Sequence, residues 1–141
     1  MSAVEILTWI ALAVGAAASA AALWGYYGVL PGWLTGPTVC KLEHGGCAVL
    51  FRTSRAALLG VPNASLGILL YATLAVGLFA GWPAWLLMIM VLPAVAMSAF
   101  LGWSLLSRGL ECRICWAGHF ANFALLILLG VRWVSERSPA L

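Results

Sequence analysis

The chain has 141 residues, 65% of them hydrophobic and only 8% charged, with a mean hydropathy of +1.07. A soluble domain carries about 25% charged residues, so the composition excludes an ordinary soluble fold and predicts one integral membrane domain over residues 1–141. The net charge of +3 comes from seven basic side chains scattered through loops and ends, which excludes the clustered basic face of a nucleic-acid-binding protein.

Uncharged stretches locate the elements. Ile6 to Val39 has no charged residue, and a helix needs about 20 apolar residues to cross a bilayer. A first helix is predicted over residues 4–30, stopped by Pro31-Gly32. A cleaved signal peptide fits poorly. The start carries Glu5 and no Lys or Arg, and the apolar run exceeds a signal core of about 7–15 residues. Ala16 to Ala22 is rich in alanine, which predicts a face for close helix packing, since helices in lipid associate through small residues. A long first loop follows over residues 31–61. Ala56 to Ser107 is again uncharged, too long for one helix and right for two. Helices are predicted over 62–80 and 84–107, with Gly81-Trp82-Pro83 as the break between them. Pro93 falls inside the third helix and predicts a kink there. The last helix is predicted over 113–134. Trp9, Trp33, Trp82, Trp85, Trp116 and Trp133 fall toward span ends, as amphipathic rings do at the headgroup level. The expected fold is an all-α membrane protein, a four-transmembrane-helix bundle whose long first loop carries a cysteine pair.

The four cysteines form two pairs. Cys40 and Cys47 flank a polar stretch containing Gly45-Gly46, and Cys112 and Cys115 form a C-x-x-C at the start of the last helix. A helix N-terminus presents unsatisfied N–H groups and partial positive charge, which stabilise a thiolate. Arg113 adds a full charge inside the motif. Three readings of the cysteines follow from the residues: a redox relay, an inert structural clip, or a zinc site with His44 as a further ligand. Haem attachment needs C-x-x-C-H, and Trp116 follows instead.

A dithiol at a membrane edge has a two-electron acceptor available in the bilayer, a quinone. Its pocket would combine apolar walls with a few polar groups. Asn63 opens the second helix, Tyr71 lies two turns further on, and His119 is one turn beyond Cys115 on the same face. Polar side chains inside a membrane are costly and tend to be functional. These residues are the expected quinone contacts, although each alone is more often a satisfied buried polar group.

The cysteine order, the hydroxyl segment Thr53-Ser54, the run Gly60-Val61-Pro62-Asn63-Ala64-Ser65-Leu66-Gly67 and the final Cys112-Arg113-Ile114-Cys115 resemble the vitamin K epoxide reductase family. The likeness is to its bacterial and archaeal quinone-linked branch and covers nearly the whole chain. The resemblance implies that Cys115 reacts with the quinone, ubiquinone or menaquinone. It implies that Cys112 exchanges with the loop pair through Cys47, and that Cys40 completes the loop disulfide that meets a reduced partner. It places Asn63 at a carbonyl of the quinone. His119 stands where animal members have tyrosine, and Thr53 where serine is usual. Thr53, Ser54, Leu66 and Leu70 complete the expected contact set, with no metal. Some relatives carry a fused thioredoxin-like domain; none is expected here, so the partner would be a separate thioredoxin-like or DsbA-like protein.

Orientation sets two rules against each other. With four spans, the termini and second loop share one side and carry Arg132 and Arg137. The cysteine side carries Lys41, Arg52, Arg55, Arg108 and Arg113. The positive-inside rule puts the cysteines in the cytoplasm, whereas disulfides persist outside it. The expected location is the inner cell membrane, with the cysteines extracytoplasmic by redox and family logic; an inverted protein would serve cytosolic disulfide formation.

Overall fold

The computed structural model describes residues 1–27, 57–58, 61–108 and 113–138. Cys40, Cys47, Thr53, Ser54 and Cys112, with most of the expected loop, lie outside the described residues. Four helices carry the fold: α1 (Ala3–Tyr27), α2 (Asn63–Phe79), α3 (Ala84–Arg108) and α4 (Arg113–Arg137). Ahead of α2 lies a two-residue antiparallel ladder, β1 (Ala57–Leu58) with β2 (Val61–Pro62), pairing Ala57 with Pro62 and Leu58 with Val61. Ala57, Leu58 and Val61 fall in the stretch expected as loop, and Pro62 was expected as the first residue of the second helix, which begins one residue later at Asn63. Two residues per strand are too few for a periodic sequence signal.

Each helix starts or stops for a local reason. At α1, the Glu5 N–H donates to Ser2 Oγ at 3.2 Å and the Ser2 N–H donates to Glu5 Oε2 at 2.7 Å, a reciprocal capping box. At the end of α2, Gly81 takes φ 73°, its N–H donates to the Leu78 carbonyl, and the Trp82 N–H donates to the Gly77 carbonyl at 2.8 Å. That is a Schellman ending, and it needs a residue that tolerates left-handed backbone. The Trp82 ring then lies against Gly77, where a Cβ would come within 2.6 Å of it. Pro83 follows and α3 begins at Ala84. The Ala84 N–H donates to Glu136 Oε2 at 3.2 Å, and Arg132 Nε donates to Glu136 Oε1 at 2.9 Å. A carboxylate from α4 thus meets an orphan donor and the positive end of the α3 dipole. Pro93 sits inside α3 without ending it.

Helices α1, α3 and α4 are long and apolar enough to cross a membrane. Helix α2 has 17 residues, which is the short limit for a crossing helix of about 17–25 residues. Large apolar side chains such as Leu69, Val76, Phe100, Trp103, Phe120 and Ile127 point outward. An apolar surface of that extent suits lipid rather than water.

Helix α4 packs along both α1 and α3, and α1 also packs along α2, while α2 and α3 meet only lightly. The α1 contact face is Thr8, Ala11, Leu12, Gly15 and Ala18, a stripe of mostly small residues at helical spacing. A Cβ on Gly118 of α4 would sit 3.7 Å from the Ala18 methyl, so these two helices approach closely, as small residues permit. Leu74, Leu87, Val91, Leu125 and Leu129, with Ala11, Leu12 and Tyr71, form the solid core. These residues occupy the half of the bundle away from Cys115. The other half holds a cavity.

Candidate active site

The cavity has a volume of about 370 Å³ and is walled by all four helices. Helix α1 contributes Ala18, Ser19, Ala22 and Tyr26; α3 contributes Met90, Pro93, Ala94, Met97, Ser98 and Leu101. Helix α2 contributes Asn63, Leu66, Gly67, Leu70 and Tyr71; α4 contributes Ile114, Cys115, Gly118, His119 and Asn122. The lining is mostly apolar and, among the described residues, includes no Asp, Glu, Lys or Arg. Size and character match small-molecule sites, which run to about 300–1,000 Å³ with few polar groups.

Cys115 stands in the first turn of α4. It is disulfide-bonded, with its partner outside the described residues. His119 follows one turn later and Asn122 one turn after that, so the three share the cavity face of α4.

The cavity floor is a hydrogen-bonded chain across three helices. Tyr71 Oη of α2 donates to Asn122 Oδ1 of α4 at 2.6 Å, and Asn122 Nδ2 donates to Ser98 Oγ of α3 at 2.8 Å. All three residues are buried. Below them the apolar core begins. Gly15 of α1 makes room for the Tyr71 ring: a Cβ there would lie 2.7 Å from Tyr71 Oη and closer still to the ring. In the same way a Cβ on Gly67 would meet Ser19 Oγ at 2.5 Å. His119 is braced from one side by Trp116, edge-on with centroids 5.9 Å apart. Trp116 also stacks on Phe120 at 5.6 Å. His119 Nε2 is buried and has no hydrogen-bond partner among the described residues.

Six residues expected from the sequence therefore line one cavity: Cys115, Asn63, His119, Tyr71, Leu66 and Leu70. Cys40, Cys47, Cys112, Thr53 and Ser54 fall outside the described residues. Asn122 and Ser98 escaped the sequence reading. For Asn122 the signal was present, a primary amide three residues beyond His119 inside an apolar run. For Ser98 it was not.

Long apolar helices with an outward-facing apolar surface mark an integral membrane protein, and the wall of its cavity holds a disulfide sulfur and a buried imidazole. The chain belongs to the vitamin K epoxide reductase family, whose defining pattern matches residues 6–129. Comparison with curated proteins gave no match, and neither did comparison with solved structures. Membership implies membrane redox chemistry linking thiols and disulfides to quinone. The cavity fits such a ring compound. Its walls are apolar, and His119 Nε2, without a hydrogen-bond partner among the described residues, offers a hydrogen-bonding atom.

Proposed function

We propose that the protein oxidises the dithiol of a separate thioredoxin-like or DsbA-like partner and passes the electrons to a membrane quinone, ubiquinone or menaquinone. The observation that carries this reading is the position of Cys115, a disulfide sulfur opening onto the same apolar cavity as His119, Asn63 and Tyr71.

The partner dithiol attacks the Cys40–Cys47 disulfide through a mixed disulfide. The reduced loop pair then reduces Cys112–Cys115, with Cys47 attacking Cys112. Exchange is faster when the leaving thiol has a low pKa, and the α4 N-terminus with Arg113 favours departure of these sulfurs. The quinone supplies the two-electron sink. Asn63 and His119 hold the ring at its oxygens, and Leu66 and Leu70 exclude water from it. Thr53 and Ser54 belong to the same contact set. Residues 1–141 act as one domain, with the cysteines on the extracytoplasmic side of the inner membrane, where they support disulfide formation.

The relay order has a direct test. In a Cys47→Ala variant mixed with the oxidised partner, the Cys40 thiolate should attack the partner's disulfide and form a mixed disulfide as one partner thiol leaves, seen as a reducible adduct on a non-reducing gel. Replacing Cys40 as well should abolish it. An adduct that survives loss of both loop cysteines would overturn this order.

A further inference from the structure

Oxidising two thiols to a disulfide releases two electrons and two protons. A quinone taking both electrons needs both protons, one at each oxygen. The described cavity lining holds no Asp, Glu, Lys or Arg to carry them. The titratable groups facing the space are Tyr26 from α1, Tyr71 from α2, and Cys115 and His119 from α4; the α3 lining contributes none. Tyr71 is committed, since its hydroxyl proton bonds Asn122 Oδ1 at 2.6 Å. The amide of Asn122 is in turn held by Ser98, so the floor is satisfied within itself. His119 is different. It is 8% exposed, its Nε2 is buried without a hydrogen-bond partner among the described residues, and it sits one helical turn from Cys115. Trp116 fixes its ring from the side, edge-on at 5.9 Å.

We infer that His119 is the proton carrier of the cavity, taking the proton released at Cys115 and delivering it through Nε2 to the quinone oxygen. The inference rests on the quinone-reducing function proposed above. The step balances. Cys112 and Cys115 lose two protons and two electrons as their S–S bond forms. The quinone gains both electrons and two protons and leaves as hydroquinone. His119 receives one proton, gives one up and ends unchanged.

The test uses the full chain in detergent, reduced with dithiothreitol, freed of excess reductant and mixed with a short-tailed benzoquinone or naphthoquinone in a single turnover. Wild type, His119→Gln and His119→Phe are compared across pH. General acid–base catalysis contributes about 10²- to 10⁴-fold. His119→Gln, which keeps a hydrogen-bonding side chain, should bind the quinone within about threefold of wild type by tryptophan quenching, since a hydrogen bond is retained. It should lose at least about 100-fold in rate and lose the ionisation limb of the pH profile. His119→Phe should lose binding as well. In ¹⁵N-histidine-labelled wild type, the imidazole signal absent from His119→Gln should move when the quinone is added to oxidised protein, with no turnover required. A His119→Gln variant with wild-type rate and pH profile, or an imidazole signal unmoved by bound quinone, overturns the inference and leaves the quinone-reducing function standing. A folded wild type that neither binds nor reduces either quinone overturns both.

Discussion

Asn122 shows what the cavity demands of a single residue. Its amide accepts from Tyr71 and donates to Ser98, joining α2, α4 and α3 at one depth. Asn122→Ala leaves two buried hydroxyls without these partners, which costs about 1–3 kcal/mol in a soluble protein. Interhelical hydrogen bonds in membranes average about 0.6 and reach about 1.7 kcal/mol, so a loss of about 1 kcal/mol is expected. Thermal unfolding in detergent should show a lower midpoint, and Tyr71→Phe, which removes one of the two bonds, a smaller drop. An unchanged midpoint in Asn122→Ala would mean that the chain does not hold the floor together. Asn63, Tyr71 and His119 were legible in the sequence as polar interruptions of apolar runs. Ser98 was not. Hydroxyl residues in these helices commonly bond their own backbone, as Thr73 does to Leu69, Ser107 to Ser104 and Ser135 to Val131. Nothing in one chain's spacing separates those from a serine that reaches across to another helix.

The element scale turns on ends and faces. Gly81-Trp82-Pro83 was readable as a break, and the reason is now specific: Gly81 supplies φ 73° for the ending of α2. Gly81→Ala puts a Cβ into left-handed backbone, at a cost of about 1–2 kcal/mol. The space around it is open, with no side chain or other non-neighbouring atom within 4 Å of that Cβ, so the loss should be purely conformational. A lowered unfolding midpoint with unaltered quinone binding is the expected result; a midpoint equal to wild type would show that the turn relaxes. The small-residue face of α1 was also legible, but its register was not. The alanine run over Ala16 to Ala22 was the visible signal, whereas the position with least room is Gly15, which the Tyr71 ring fills. Which small residue meets an aromatic ring depends on the partner helix, and that is tertiary information. The β1–β2 ladder was hidden because each strand has only two residues.

At the scale of the whole molecule, hydropathy and breaks were enough for four helices, because lipid forces every backbone polar group to be satisfied within its helix. The cavity was not legible as a volume. It exists because the bundle packs solidly around Leu74, Leu87, Leu125 and Leu129 and opens above Tyr71, which depends on how all four helices meet. Orientation belongs to this scale as well. The account places the four cysteines outside the cytoplasm, so an impermeant thiol reagent on intact, reduced cells should label them. Protection of all four until the cells are lysed would assign them to the cytosol, as the five basic residues on their side would favour.

The central claim is that Cys115 delivers electrons to a quinone in this cavity. Its most direct test is quinone reduction by the purified protein, with a reduced thioredoxin-like protein as donor and ubiquinone and menaquinone analogues as acceptors, wild type against Cys115→Ala. The account predicts steady turnover in the wild type and none above background in the variant. Equal turnover in the two, or none in a folded wild type with either acceptor, would contradict it.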